Sequence, residues 1–185
     1  NGFGLTAELR ERNFLGRGQS VSLGFNTTDG SESLSFSFNE PAFLDRELGF
    51  GLSGSYGTTD SDFAAYNTES ARLSPSINFP VSENGRLSLR YSLGFEEVLD
   101  AAVGSQLLSD DDDAGRQTVS SVGYTYRFDS RTTGLNPDAG LVFRFSQDFA
   151  GVGGDKEYLR STLFAGTTTK VLSDEVTLRA VLEGG

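Results

Sequence analysis

Hydrophobic and polar residues alternate one by one along almost the whole chain. A period of two puts successive side chains on opposite faces of a β-strand, whereas a helix repeats its apolar positions every three to four residues. The alternation recurs ten times and predicts ten strands without a convincing helix. Their apolar positions fall in 3–9, 21–25, 34–38, 48–52, 71–79, 87–95, 122–128, 141–145, 157–171 and 176–182.

The connections between these strands are of two kinds that follow each other in turn. Compact connections lie at 13–18, 40–47, 80–86, 129–140 and 172–175, and polar, more variable ones lie at 27–31, 57–65, 97–117 and 150–156. Short turns at one rim and longer loops at the other are typical of an outer-membrane β-barrel, whose strands span the bilayer with about ten residues. We therefore expect an all-β fold, the antiparallel meander of a transmembrane β-barrel.

The two faces of the predicted strands differ in chemistry. One face is apolar and should contact lipid; the residues expected there are Leu5, Leu23, Phe36, Leu89, Tyr91, Leu93, Tyr124 and Phe143. The other carries Ser, Gly, Thr and Asn with scattered Arg and Glu, which suits a wet lumen better than the Lys- and Glu-rich surface of a soluble β-sandwich. Aromatic residues near the strand ends predict an interfacial girdle, formed by Tyr56, Tyr66, Phe79, Phe95 and Phe128.

The amino-acid composition excludes most catalytic chemistries. The chain has 185 residues, a net charge of −11, and no Cys or His, so thiol catalysis, disulfides and histidine-based mechanisms are excluded. The acidity argues against nucleic acid, because phosphates would not be neutralised. The run from Asp110 to Asp113 lacks the spacing of a calcium loop and is interpreted as a solvated loop tip. We expect no enzyme activity, no cofactor and no metal.

Four segments keep a common order and spacing: RNFLGRGQ at 12–19, NEPAFLDR at 39–46, YRFDSR at 126–131 with LNPDAG at 135–140, and GVGGDK at 151–156. Together they resemble the barrel of the BamA-type outer-membrane protein assembly factors, in the POTRA-barrel superfamily. The resemblance implies a sixteen-strand barrel preceded by POTRA domains. Residues 1–185 would form family strands two to eleven, without the POTRA domains and the closing strands.

The resemblance also implies a location and partners. The chain would lie in the bacterial outer membrane, in contact with lipid and lipopolysaccharide, and would help to fold and insert client β-barrel proteins. Assembly-machine lipoproteins would bind through the missing POTRA domains. The compact turns would face the periplasm, with Phe14, Gly16, Gly18, Pro41, Asp129, Arg131, Pro137 and Gly140 as their residues.

Two alternatives remain open at the level of sequence. A TamA-type factor or a two-partner secretion transporter shares the barrel plan and would differ in the number of POTRA domains. A passive porin-like channel would need a charged constriction, for which the candidates are Arg72, Arg90, Arg127 and Arg144. In an assembly-factor barrel such arginines would instead pair with acids such as Glu8 and Glu96.

Several local expectations can be compared with the structure. Gly16 and Gly18 should supply positive φ in a tight turn, and Asp129 with Arg131 should form a turn-closing hydrogen bond or an ion pair in the lumen. Pro75 lacks an N–H for the strand ladder, so a bulge or a local loss of pairing is expected there. The two end strands present free edges, which should pair with another chain, a fused partner or each other.

Overall fold

The computed structural model describes residues 3–60, 67–99, 115–131, 140–171 and 176–185. These residues form one ten-stranded sheet in which every strand pairs with its sequence neighbours, all antiparallel. The ten predicted strands are confirmed. Their bounds are β1 Leu5–Phe14, β2 Gln19–Thr28, β3 Ser31–Glu40, β4 Gly49–Thr59, β5 Asn67–Ser82, β6 Gly85–Leu99, β7 Gln117–Asp129, β8 Gly140–Ala150, β9 Tyr158–Val171 and β10 Val176–Gly184.

The strand register joins the apolar positions into one continuous face. Residues that lie directly opposite each other in neighbouring strands point to the same side of a sheet. One such row runs through Leu9, Leu23, Phe36, Gly54, Leu73 and Leu93. We call this side the outer face, and the opposite side, with the serine row Ser22, Ser37, Ser53 and Ser74, the inner face.

The sheet has little hydrophobic core of the kind that a soluble protein needs. Among the described residues, the buried apolar side chains are Val119, Val142 and Ala150. The large outer-face residues are open, with Leu89 at 45% and Leu93 at 44% exposure, whereas inner-face Ser92 and Asp148 are at 9% and 7%. No second sheet covers the apolar face within the described part of the chain, so a β-sandwich does not account for it.

Strands β5 and β6 are longer than the alternation predicts, with 16 and 15 residues. Pro80 therefore lies inside β5 and Glu97 inside β6, not in connections. The sequence predicts connections at these polar ends because charge interrupts the apolar repeat, whereas the β5–β6 pairing extends from Asn67–Leu99 at one end to Ser82–Gly85 at the other.

Pro75 causes a local loss of pairing without a bulge. Pairs Leu73–Leu93 and Ser76–Arg90 keep the same register, and no β5–β6 pair forms between them. A side-chain hydrogen bond of 2.9 Å from Ser74 Oγ to Ser92 Oγ bridges this gap. The register shift in this hairpin lies lower, between Pro80 and Ser82.

The sheet is open in the described residues. Strand β1 pairs only with β2, and β10 only with β9, so the two end strands do not close a smaller barrel with each other. Among the residues that the structure describes, the single helical segment is a three-residue 3-10 turn at Phe43–Asp45. No helix in the described ranges is long and apolar enough to cross a membrane.

Candidate functional site

The outer face is the first of the two candidate surfaces. All eight residues predicted to face lipid lie on it by register. Polar groups on this face are hydrogen-bonded: the Tyr124 hydroxyl donates to Gln147 Oε1 at 2.9 Å, and Gln147 Nε2 donates to Ser161 Oγ at 3.0 Å. Paired side chains of this kind reduce the cost of polar atoms in an apolar environment. Their contact with lipid stays a prediction.

A charged cluster marks one end of the outer face. Glu69 and Glu97 lie opposite each other at the loop end of β5 and β6, and Arg116 bridges them, with nitrogen–oxygen distances of 3.7 and 3.1 Å. The Arg116 guanidinium also lies 4.1 Å from the centre of the Phe95 ring. Because exposed charges on a barrel's lipid face are costly within the hydrocarbon, the apolar band must end below this cluster, near Phe95.

The inner face carries ion pairs that connect separate strands. Asp148 on β8 accepts hydrogen bonds from Arg90 on β6 and, at 3.2 Å, from Arg160 on β9. Gly123 on β7 lies between Arg90 and Asp148 in the same row, and any Cβ there would collide with the Asp148 carboxylate. Because Gly123 has no side chain, the Arg90–Asp148 ion pair can form across β7.

A second inner-face group lies nearer the loop end. Glu96 contacts both Arg72 and Lys156 at 3.0 Å, and its contact with Arg72 is the predicted pairing of an acid with a lumen arginine. Glu8 instead pairs with Arg10 of its own strand at 2.7 Å. The sequence analysis missed Asp148 because its predicted strand ended at residue 145; extending the alternation through Ser146 would have placed it on the polar face.

The turn between β1 and β2 has the predicted backbone. Gly16 and Gly18 have φ of 71° and 73°, and the Gly18 amide donates to Asn13 Oδ1 at 2.7 Å. Leu15 also has a positive φ, 55°, which no local signal predicted. The Pro41 ring lies beside Gly18, so the β1–β2 and β3–β4 turns are neighbours on one rim, with Phe14 at its edge.

Asp129 closes the turn end of β7, as predicted. Its carboxylate accepts hydrogen bonds from Arg131 Nε and Nη2 at 2.8 and 2.7 Å, and from Arg127 Nη2 at 3.1 Å. These hydrogen bonds hold the pKa of Asp129 well below its ordinary value of 3.8, and the bond from Arg131 has the largest effect. Gly140 begins β8 directly against the Arg131 backbone, where a Cβ would not fit. Pro137 lies outside the described residues.

The glycine-rich segment after β8 continues the sheet and does not cradle a phosphate. The Gly151 amide donates to the Ser120 carbonyl at 3.1 Å, and the Asp155 amide to the Thr118 carbonyl at 2.8 Å. Strand β9 follows it, so no helix dipole is available. The described residues contain no group of three or more metal-ligating side chains. Asp110–Asp113 and Tyr66 lie outside the described ranges.

An antiparallel meander with an apolar outer face and an ion-paired, polar inner face defines the wall of a transmembrane β-barrel. Residues 13–185 match the Omp85 superfamily domain. The chain therefore belongs to the Omp85 superfamily, and its sheet is of the BamA type. An outer-membrane location, as the resemblance implied, is confirmed.

Relatives with known names agree with this membership. The chain is 26% identical over 176 residues to the outer membrane protein assembly factor BamA of Neorickettsia risticii (strain Illinois), covering 95% of this chain and 24% of the relative. It is 28% identical to BamA of Nitratidesulfovibrio vulgaris over 85% of this chain and 20% of the relative. The sorting and assembly machinery component 50 homolog of Xenopus tropicalis is 25% identical, over 96% of this chain and 37% of that protein.

A solved structure shows the same fold. The crystal structure of BamA from Haemophilus ducreyi lacking POTRA domains 1–3 superposes with a TM-score of 0.71 at 18% identity, covering 94% of this chain and 37% of that one. The chain spans a quarter or less of the BamA relatives in length, 24% and 20%.

Proposed function

We propose that this chain is the membrane-barrel part of an outer-membrane protein assembly factor that folds and inserts client β-barrel proteins. The observation that carries the proposal is the Omp85 match over residues 13–185, on an antiparallel ten-stranded sheet with a mainly apolar, exposed outer face. The named relatives are assembly factors and sorting and assembly components, which supports the same role here.

The mechanism would be strand addition. In a barrel with a weak seam, a client strand pairs with the exposed strand edge, main-chain hydrogen bonds supply the pairing, and the client's alternation sets the register. The seam would lie in strands that continue the sheet beyond β1 and β10. The partners are then client β-barrels, membrane lipid and lipopolysaccharide, and lipoproteins that bind POTRA domains.

Within that mechanism, this chain's own residues hold the wall in place. The outer face anchors it in lipid, and the Arg90–Asp148–Arg160 and Arg72–Glu96–Lys156 groups tie strands and loops together on the lumen side. No chemical step is required of any residue, because strand pairing is non-covalent. The proposed role is therefore not enzymatic.

The proposal can be tested with the full-length protein in proteoliposomes. An unfolded client β-barrel is added, and its folding is followed by the change in gel mobility between heated and unheated samples. Folding should be faster than in empty liposomes of the same lipid. A barrel of unrelated family at the same density is the control. Equal client folding rates in the three preparations would contradict the assembly role.

A further inference from the structure

Three polar side chains form a row on the outer face of the wall. Tyr124 on β7 lies opposite Gln147 on β8, which lies opposite Ser161 on β9, and all three are partly exposed. We call them the polar row. On the β6 side this row meets Leu89. Polar groups on a face that contacts lipid are costly unless each finds a hydrogen-bond partner.

Exposed apolar side chains separate the polar row from the loop end of the strands. Val122, Phe149 and Leu159 form the next outer-face row in that direction and are 48%, 56% and 65% exposed. Towards the turn end, Phe145 and Leu163 form the neighbouring pair. The polar row therefore lies inside the apolar band, where water is scarce.

The hydrogen bonds of the polar row leave donors unused at its β9 end. The Tyr124 hydroxyl donates to Gln147 Oε1 at 2.9 Å, and Gln147 Nε2 donates to Ser161 Oγ at 3.0 Å. A carboxamide has two N–H donors and a serine hydroxyl has one O–H donor. Among the described residues, the second N–H of Gln147 and the O–H of Ser161 have no acceptor.

Two other polar sites on the outer face show the contrast. The Tyr91 and Ser120 hydroxyls share a hydrogen bond of 3.0 Å, and Ser120 is only 1% exposed. Thr167, on the same strand as Ser161, donates its hydroxyl to the Gly140 carbonyl at 3.3 Å. These hydroxyls are shielded or already bonded, whereas Gln147 and Ser161 present donors to the membrane.

The polar row lies close to the loop-end boundary of the hydrocarbon. The charged residues Asp155, Lys156 and Glu157 directly precede β9, so the apolar band ends near Leu159. With a rise of about 3.4 Å per residue and a tilt of about 40°, Ser161 lies about 5 Å deeper than Leu159. At this depth a lipid presents the first part of its acyl chain, next to the carboxyl group that joins the chain to the headgroup.

We propose that Gln147 and Ser161 bind the hydroxyl-bearing acyl chain of a lipid in the leaflet at the loop end. A hydroxyl group near the carboxyl end of the chain accepts a hydrogen bond from either free donor. Lipopolysaccharide has chains of this kind, whereas the chains of most phospholipids are pure hydrocarbon at this depth. The rest of the chain would lie along the apolar residues on both sides of the polar row.

A membrane-spanning protein segment fits this surface less well. Such a segment contacts several rows at once, but the rows next to the polar row present apolar side chains. The proposal uses the outer-membrane location and the loop-end leaflet, and not the insertion of clients. It can therefore fail while the assembly role holds, and the assembly role can fail while it holds.

The binding test uses the full-length protein in mild detergent, with an equal mixture of two phosphatidylethanolamines that differ by one hydroxyl on one acyl chain. Native mass spectrometry distinguishes the two bound lipids by mass. The wild type should retain the hydroxylated lipid at least about threefold over the other, the usual value of one additional hydrogen bond. Gln147→Leu, which keeps the outer face apolar, should bring the ratio close to one.

Thr167→Val is the matched control. Thr167 lies on the outer face of the same strand, nearer the turn end, and its donor is already bonded, so this variant should keep the wild-type ratio. A ratio near one in the wild type would overturn the proposal. So would an equal preference in wild type and Gln147→Leu, or a preference that Thr167→Val removes as well.

A second measurement follows stability in the bilayer. A lipid that binds only the folded state raises the unfolding midpoint, so liposomes with the hydroxylated lipid should stabilise the wild type and not Gln147→Leu. Gel mobility after heating measures the midpoint. A protein that co-purifies with the wild type and is lost in Gln147→Leu, without any lipid preference, would overturn the proposal and assign the polar row to a protein partner.

Discussion

The residue with the tightest requirement on the inner face is Gly123. A Cβ at this position would meet the Asp148 carboxylate, the Gln147 carbonyl oxygen at 3.0 Å and Arg90 Nη2 at 3.1 Å. Asp148 cannot move aside freely, because Arg90 and Arg160 both hold it. Gly123→Ala should therefore lower the free energy of unfolding by about 1–3 kcal/mol, the usual cost of overpacking. Urea unfolding in lipid, followed by tyrosine fluorescence, measures this change.

Gly57→Ala is the matched control for this variant. Gly57 also lies on the inner face, but an added Cβ would make ordinary contacts of 3.7 Å with the Glu32 carbonyl and 3.8 Å with Ser70. Its unfolding midpoint should stay close to that of the wild type. If both variants unfold at the same urea concentration, the Arg90–Asp148 contact does not need the empty position at Gly123.

Asp129 gives a pH-dependent prediction at the turn end of β7, where it is the last residue of the strand. Its pKa is lowered in the folded state by Arg131 and Arg127, so the folded form prefers the ionised carboxylate. The stabilisation is then fully present above the ordinary value of 3.8 and is lost as pH falls below it. Asp129→Asn should destabilise the protein at pH 7, and the difference from wild type should shrink as the pH falls below about 4.

Asp45→Asn is the control for the pH series. Asp45 belongs to the turn after β3, on the same rim, and forms no ion pair within the described residues. Unfolding midpoints of the three proteins are compared between pH 7 and pH 3. A difference between wild type and Asp129→Asn that stays constant with pH would show that the Asp129 charge is not what stabilises the turn.

At the scale of the strand, the assignment of faces can be tested with single charges. Leu89 lies on the outer face near the middle of β6 and is 45% exposed. Leu89→Arg should cost about 2–4 kcal/mol in a bilayer, the penalty for arginine on the lipid face near the midplane. The free energy of unfolding in liposomes measures this penalty.

The control variant places arginine on the inner face, at a position whose side chain is exposed. Sequence alternation suggests Ser92, but Ser92 is only 9% exposed and is hydrogen-bonded to Ser74, so arginine there would also be costly by crowding. Ser35 on β3 faces the same side and is open. Ser35→Arg should cost much less than Leu89→Arg. A larger penalty at position 35 would invert the assigned faces.

The sequence predicts strands and faces well because period two is a local property. It fails where pairing depends on distant residues. The tops of β5 and β6 contain Glu69 and Glu97 at outer-face positions, where they interrupt the apolar repeat although the strands continue. The segment after β8 donates backbone hydrogen bonds to Ser120 and Thr118, which lie more than thirty positions earlier in the chain. The Arg90–Asp148 contact likewise joins residues 58 positions apart.

For the whole molecule, the meander places the five connections predicted to be compact on one rim and the other four on the opposite rim, the loop rim. Length does not separate the two sets as predicted, because only two residues, 29–30, join β2 to β3, whereas ten, 130–139, join β7 to β8. We expect the loop rim, including the connection between β6 and β7, to face the cell exterior. A cleavage site for a protease absent from the cell, inserted between Asp112 and Asp113, should be cut in intact cells. The full-length protein with this insertion should still fold, because the connection joins strands that pair independently of it.

The same site inserted between Gly16 and Arg17 is the topological control. This turn belongs to the opposite rim and should be cut only after the outer membrane is opened. Immunoblotting of the full-length protein before and after permeabilisation distinguishes the two cases. Cleavage at position 16 in intact cells, with position 112 protected, would reverse the topology.

The unequal strand lengths give this wall a low side and a high side. With a rise of about 3.4 Å per residue and a tilt of about 40°, the ten-residue strands β2 and β3 stand about 26 Å high, just enough for the apolar band. The 16-residue β5 stands about 42 Å high. Most of the extra length lies at the turn end, because Thr68 is paired with Thr59 at the top of β4, whereas residues 79–82 continue past the first residue of β4, Gly49. Soluble proteins that approach from the turn side would thus meet the β5–β6 hairpin before they reach the start of β4.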